Sequence, residues 1–392
     1  MTVNPKELQS LRHVRTADVY KAGALAGTLS RSAEGTVVFE YVDAYSGPDV
    51  AFTLPQTQRR VESAGGAVPA FFAGLLPEGH RLTVLRRAVK TSLDDELSLL
   101  LAIGSDLPGD VQVVPQGTAH KKQEELAVGD PVALDFRALT EGVDAHGIAG
   151  VQEKASASML NVPLNMAGLP AILKIAPKEY PLLVENEMLH LEGAQKLNLP
   201  VALARVVHDK NGVAGLISRR FDRGADGERF ALEDAAQVMG ITPSQKYNVS
   251  AEEVTIELAK KTHQPRIAVR ALYLQWIYAW LTGNGDLHAK NLSVLQSPEG
   301  TWNLSPIYDV PCTALYRDFT LALPVSGKTR KLKLEHWDEF ADSIGLPHKA
   351  ARSANEIALK AAAAVDLRDL PLTGSPLNGA LGEISARRFA LA

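Results

Sequence analysis

The stretch LTGNGDLHAKNLSVL, residues 281–295, follows the most apolar helical run of the chain and packs Asp286, His288, Lys290 and Asn291 close together. Gly283 and Gly285 stand at its start. Glycine reaches backbone angles that end a helix and tolerates a close backbone approach, so Asp286 is expected to begin a loop at a helix end. Downstream, NLSVLQ, SPEG and TWNLSPI read as strand, turn and strand. In an antiparallel pair the start of the first strand lies beside the end of the second, about 4.8 Å away. Asn291 precedes the first strand and Asp309 follows the second, in PIYDV, so the two side chains are expected to be neighbours. An amide oxygen and a carboxylate next to a further acid, Asp286, make an oxygen set suited to Mg2+.

Four residues separate Asp286 from Asn291. This is the D-x-x-x-x-N spacing of protein-kinase catalytic loops, in which the acid takes the substrate hydroxyl and the amide binds metal. A free aspartate, with a pKa of about 3.9, is a weak base at neutral pH, so orientation is its expected work. Asp309 then takes the place of the metal-binding acid of D-F-G, here within Tyr-Asp-Val. The spacing alone is common in loops, and the hairpin gives it weight. His288 reads as a structural hydrogen-bonder, and Lys290 as a phosphate contact or a solvated amine.

Upstream, LPAILKIAP places Lys174 in an apolar strand like V-A-I-K, where a lysine faces either water or a buried anion. Glu187, in VENEMLHLEGAQKL, is spaced to pair with it from the next helix, while Glu185 falls on a different face. HGIAGVQEK carries Gly147 and Gly150, whose amides can line a phosphate, but no G-K-[ST] of a Walker loop follows. Lys154 reaches either phosphate or solvent. SRRF, residues 218–221, ends a strand where a kinase hinge would hold adenine, or serves as an ordinary connector.

The rest of the chain frames these motifs. Its 392 residues suggest two or three domains, and 46% hydrophobic with 22% charged residues is an ordinary globular balance. A net charge of −4 offers no basic footprint for direct nucleic-acid binding. One cysteine, Cys312, fits a reducing compartment. The N-terminus has no apolar core of a secretory signal, and IAVRALYLQWIYAWL is too short for a membrane span and carries Arg270. The cytoplasm is the expected location, with no membrane partner.

DVYKAGALAGTLSR, GTVVFEYVD and DVAFTLP read as strands of a small antiparallel sheet. PAFFAGLLPEGHRLTVLRRAV and TSLDDELSLLLAIG switch to helical spacing, the second with Ser92 as N-cap and Gly104 at its end, and DVQVVPQG returns to strand. QGTAHKKQEELAVGD, residues 116–130, reads as linker. From about 145, IAGVQEKASASMLN and LPAILKIAP read as strands, LVENEMLHLEGAQKLNLP as a helix ended by Asn198 and Pro200, and VALARVVHD with GVAGLISRRFD as a hairpin turning at Asn211 and Gly212. From LEDAAQVMG onward the pattern is mostly helical. Ile267, Ala271, Leu274, Ile277 and Leu281 form one stripe of a buried helix, and HKAARSANEIALKAAAAVDLRDL is a late alanine-rich helix.

GIAGVQEK, AILKIAP, Asn186 with Glu187, RRFDR, LEDAAQVMGITPSQKY, GNGDLHAKN and PIYDV occur together, and in this order the chain resembles the HipA-like toxin kinases. FFAGLLPEG and AIGSDLPGDVQVVP are similar to that family's N-terminal couple domain. The resemblance implies an α+β, two-lobed, phosphatidylinositol-kinase-like fold with a mixed α/β N-terminal part and a mainly helical C-terminal lobe. It implies a couple domain over 1–120, a linker over 121–144, a kinase N-lobe over 145–222 and a helical C-lobe over 223–392. It also implies an ATP- and Mg2+-dependent serine/threonine kinase, the toxin of a type II toxin–antitoxin pair, acting on a translation component such as an aminoacyl-tRNA synthetase. A HipB-like helix-turn-helix antitoxin would be the partner that brings it to operator DNA.

Carried onto matching positions, Asp286 is the catalytic acid, and Asn291 and Asp309 hold the metal. Gly150, Val151, Gln152, Glu153 and Lys154 cover the nucleotide, Lys174 contacts phosphate, and Arg219, Arg220 and Phe221 form the hinge. His288, Lys290, Asn291, Tyr308 and Asp309 complete the nucleotide contacts. Gly147 stands where the family commonly carries an autophosphorylated serine, so that switch is not expected to operate in the usual way; Ser156 and Ser158 are nearby hydroxyls that read as structural. Two other readings are a small-molecule kinase, which uses the same D-x-x-x-x-N logic, and a catalytically silent co-repressor acting through the antitoxin.

Overall fold

The structure is a computed structural model that describes residues 5–118, 131–136, 159–166, 169–224 and 227–391. The candidate loop residues Gly147, Gly150, Val151, Gln152, Glu153 and Lys154, the hydroxyls Ser156 and Ser158, and most of the expected linker lie outside the described residues.

After a short helix α1 (Pro5–Ser10), the N-terminal unit is built on strands β1 (Thr16–Lys21), β2 (Ala24–Arg31), β3 (Val37–Tyr41) and β4 (Arg60–Ser63). Helices α2 (Ala70–Gly74), α3 (Gly79–Val89) and α4 (Glu96–Ile103) follow, and β5 (Val111–Pro115) closes the sheet in the order β4-β3-β2-β1-β5, antiparallel throughout. Alternate residues such as Ala17, Val19, Leu29 and Phe39 point inward onto Phe71, Phe72 and the leucines of α4, giving the unit its own core.

Three expectations need correction here. DVAFTLP is not a strand: it holds only an Ala51–Leu54 bridge, because the Tyr41 hydroxyl accepts the Val50 N–H and bonds the Leu54 carbonyl, bending the segment into a loop. The apolar run from Pro69 makes two helices, because Pro77 lacks the N–H a continuous helix needs. Helix α4 starts at Glu96 and not at Ser92: the Asp95 carboxylate accepts the Ser98 N–H, a cap that an aspartate one turn later supplies as well as a serine. Gly104 ends it.

The second sheet has the order β6-β7-β9-β8, from β6 (Leu160–Met166), β7 (Leu169–Ile175), β8 (Ala204–His208) and β9 (Ala214–Arg219). The β8–β9 hairpin turns at Gly212, whose φ of 76° suits a residue without Cβ. Between β7 and β8 runs α5 (Leu183–Ala194). One face of this sheet, with Ala171, Leu173, Ile175 and Ile217, closes on Phe136. The opposite face presents Ile172 and Lys174 to a cavity, as the period of two along β7 dictates.

The C-terminal part opens with β10 (Leu232–Asp234), which the sequence reads as helical. Its three residues instead pair with the candidate hairpin. Helices α6 (Ala235–Val238), α7 (Ala251–Lys261) and α8 (Pro265–Thr282) precede that hairpin, β11 (Ser293–Gln296) and β12 (Trp302–Leu304). Then come α9 (Leu334–Ser343), α10 (His348–Ala363) and α11 (Ser375–Leu391). Helix α8 is the axis of the main core. It is buried on every side from Ala271 to Thr282, with Trp276 and Trp280 among the largest enclosed side chains. The expected single stripe is therefore too narrow a description, and its first member, Ile267, is 64% exposed in the first turn. A helix surrounded by other elements has no polar face to keep. Among the described residues no helix is long and apolar enough to cross a membrane.

Candidate active site

Helix α8 ends at Gly283, which takes a left-handed φ of 73° and returns its N–H to the Trp280 carbonyl. Gly285 is required by the close approach of neighbouring atoms. Its φ is not left-handed, but a Cβ there would lie 2.3 Å from the Thr320 carbonyl oxygen and 2.7 Å from the Thr313 hydroxyl. The Gly285 N–H donates to that hydroxyl at 2.8 Å, and the Asp286 N–H to the Asn284 side chain at 2.8 Å, so the backbone leading into the acid is tied down. Asp286 is fully buried, and Tyr247 donates its hydroxyl to one carboxylate oxygen at 3.3 Å. Burial, and after it the Asp286 carboxylate, raises the Tyr247 phenol far above its ordinary value, so the phenol stays a donor.

The β11–β12 hairpin brings Asn291 beside Asp309, the amide nitrogen donating to the carboxylate at 2.7 Å. Asp309 itself has a φ of 57°, a conformation few residues other than glycine adopt, as aspartate and asparagine do most readily. Its second oxygen accepts from Lys174 at 3.0 Å, and Lys174 also donates to Glu187 of α5 at 2.6 Å. Burial alone would lower the Lys174 ammonium; Asp309 and Glu187 outweigh it and hold the pKa above the ordinary lysine value. One residue before Glu187 on α5, Asn186 clasps the backbone of Cys312, accepting its N–H and donating to its carbonyl, both at 3.0 Å. One helix therefore fixes both the partner of Lys174 and the segment that follows Asp309.

A cavity of roughly 320 Å³ opens at the Lys174–Glu187 pair, within the size range of small-ligand sites. Lys174, Glu187 and Tyr308 line it, as do residues 218–222. The Phe221 and Tyr308 rings lie 5.5 Å apart, and the Tyr308 hydroxyl shares a 2.7 Å hydrogen bond with Ser293. The expected hinge residues differ in kind. Arg219 is exposed at the rim, whereas the Arg220 guanidinium is committed to Asp106 at 2.7 Å and Asp222 at 2.9 Å. Arg220, outweighing the effect of burial, holds the Asp222 carboxyl down at about 2.

Lys290 lines the cavity, and only the solvated reading of it is overturned. It is not solvated, and its ammonium donates to the Gly74 carbonyl at 2.5 Å and stands 3.4 Å from Asp234 and 3.7 Å from Glu78. His288 is buried, accepts the Lys290 N–H at 3.2 Å and meets the Tyr247 ring edge-on at 5.2 Å.

The donor set fits a hard cation in one specific respect. The side-chain oxygen of Asn291 is buried and makes no hydrogen bond, next to the Asp309 carboxylate that its nitrogen holds. An acceptor left without a donor is what a cation ligand looks like when only protein atoms are counted. Among the described residues no three His, Cys, Asp or Glu side chains form a metal cluster, so these two side chains would need further oxygens from a bound ligand or water.

Several residues at the site carry no periodic signal in the sequence. Tyr247, Asp234 and Glu78 reach it only through tertiary packing. Tyr247 falls within ITPSQKY and Glu78 within LLPEG, stretches that carry a family likeness but no spacing rule of their own.

Comparison with known proteins places these features in a family. The family model described as HipA-like C-terminal domain matches residues 146–365, and that described as HipA N-terminal domain matches residues 17–114. A protein of Sinorhizobium fredii named "Putative kinase Y4mE" is 25% identical over 95% of this chain and 98% of its own. The "Serine/threonine-protein kinase toxin HipA" of Shewanella oneidensis is 28% identical over 71% of this chain and 72% of its own. A solved complex of Shewanella oneidensis HipA, HipB and operator DNA contains a chain that shares the fold, with a TM-score of 0.73 and 22% identity over 96% of this chain and 95% of that one. The two-lobed, mixed α/β architecture is that of these proteins. With the C-terminal family model covering more than half of its residues, the chain belongs to the HipA family and is a HipA-like kinase.

Proposed function

We propose that the protein is the toxin of a type II toxin–antitoxin pair and transfers the γ-phosphoryl group of ATP, with Mg2+, to a serine or threonine hydroxyl of another protein. The observation that carries this reading is Lys174, bonded at once to Glu187 at 2.6 Å and Asp309 at 3.0 Å, with Asn291 on the second Asp309 oxygen at 2.7 Å. In protein kinases such a lysine–glutamate pair and a metal-binding acid must both be in place before phosphoryl transfer proceeds.

In this reading Asp286 orients the incoming hydroxyl and accepts its proton, while Lys174 binds phosphate oxygens. Residues 218–222 and Tyr308 flank the base, and residues 150–154 cover the phosphates. Asn291 and Asp309 would hold Mg2+, whose chemistry is to neutralise charge on the phosphates. The substrate is a translation component such as an aminoacyl-tRNA synthetase. A HipB-like helix-turn-helix antitoxin, through which the acidic toxin meets operator DNA, is the partner, and the cytoplasm is the site of action.

Incubation with labelled ATP, Mg2+ and a cell lysate is expected to label a protein in trans. Asp286→Asn is expected to reduce that labelling by about 10²–10⁴-fold, the range for losing a positioned acid–base group. Equal labelling by both forms sinks the proposal.

A further inference from the structure

We infer that the N-terminal unit supplies a residue of the nucleotide site, Arg81, whose guanidinium donates hydrogen bonds to the nucleoside part of the ligand. This deepens the phosphotransfer reading and rests on it. The cavity that holds Lys174 and Tyr308 is walled on its other side by Leu75, Leu76, Pro77, Arg81, Ile103 and Pro108, all from the N-terminal unit.

Arg81 lies on α3 and is half-buried. The charges that act on it are Asp106, which attracts it, and Arg220, which repels it. Asp106 is already engaged by Arg220 at 2.7 Å and Arg223 at 3.1 Å. Among the described residues no hydrogen bond or ion pair reaches the Arg81 guanidinium. The other arginines enclosed near it, Arg220 and Arg223, each hold a carboxylate.

A guanidinium is a donor only, with five N–H groups in a fixed fork, and a partly desolvated one calls for acceptors. Here the acceptors must come from whatever fills the cavity. Its location selects which part of the ligand that is. Lys174 with Asp309 marks the end suited to anionic phosphates, whereas the charges around Arg81 belong to Asp106, of the N-terminal unit, and to Arg220, within the segment 218–222. Apolar surfaces from Leu75, Ile103 and Ile172 bound the cavity and suit a flat base. Ring nitrogens and ribose oxygens are the acceptors such a region would offer.

The wall is also held in place. The Gly74 carbonyl, at the end of α2, accepts from Lys290; the Phe71 carbonyl accepts from Gln237 at 2.9 Å; and Glu78, at the start of α3, pairs with Lys246. Arg81 is therefore presented from a helix whose first turn is pinned to the catalytic half of the molecule.

Affinities of the full-length protein for ATP, ADP and adenosine, measured by calorimetry for wild type, Arg81→Lys and Arg81→Gln, test this. Thermal midpoints serve as the control for folding. Arg81→Gln is expected to weaken all three ligands by a common factor of roughly tenfold, the value of a charge-assisted hydrogen bond, with Arg81→Lys in between because it keeps the charge and loses the fork. A loss that grows from adenosine to ATP overturns the nucleoside assignment, and unchanged affinities overturn the inference while leaving the phosphotransfer reading intact. A wild-type protein that binds none of the three ligands overturns both.

Discussion

Lys174 is 13% exposed and Glu187 2%, so their ion pair sits almost entirely out of water. Removing one partner of such a pair strands the other. Lys174→Ala leaves Glu187 and Asp309 facing each other without a cation, and is expected to cost about 3–5 kcal/mol of stability along with activity. The double variant Lys174→Met with Glu187→Leu removes both charges and refills the space. It is expected to regain most of the stability and none of the activity, because Asp309 still lacks its ammonium. Urea midpoints set against phosphoryl transfer rates separate the two effects; a Lys174→Ala protein as stable as wild type contradicts a buried pair.

At the scale of elements, the loop after α8 is shaped by two glycines that do different work. Gly283→Ala forces a left-handed residue at the helix end, for about 1 kcal/mol. Gly285→Ala drives a Cβ into the Thr320 carbonyl and is expected to cost about 1–3 kcal/mol, moving Asp286 as the loop shifts. The rate of phosphoryl transfer should fall further in the Gly285 variant than in the Gly283 variant, and equal rates contradict the packing argument. Much of this element was legible in the sequence. A hairpin fixes its own register, so Asn291 and Asp309 could be paired from turn residues and alternation alone. The period of two along β7 likewise sets Lys174 opposite the face that carries Leu173. Where the reading failed, a tertiary partner had overruled a local pattern. Tyr41 bends DVAFTLP and neighbours on every side erase the stripe of α8; the cap is the exception, where Asp95, three residues along the same segment, replaces Ser92 locally.

At the scale of the whole molecule, the N-terminal unit docks through buried polar groups that no spacing rule announces. Glu233 accepts the Phe52 N–H at 2.9 Å, and its other oxygen is buried without a hydrogen bond. Burial pushes its carboxyl up to about 8 from an ordinary 4.5, with the Phe52 N–H and Lys21 opposing and Asp234 and Asp110 adding to the rise. The folded protein thus holds this proton more tightly than the unfolded chain. Its contribution to stability is greatest below about pH 4.5 and is lost as pH climbs to about 8, by at most about 1.4 kcal/mol per pH unit. Glu233→Gln cannot ionise, so its advantage over wild type should widen from near zero at low pH and level off above about pH 8. Parallel melting curves across that range check the sign; a difference that is flat with pH contradicts it.

The positive backbone angle at Asp309 bears on how such an enzyme can be silenced for study. Of the replacements that cancel its charge, asparagine alone keeps both the side-chain length and the tolerance for that twist, whereas alanine or valine would ask the chain to unwind where α5, the hairpin and Lys174 converge. A dead form meant to trap a complex with its shape undisturbed is therefore better made by swapping one oxygen for nitrogen at this position than by trimming it away.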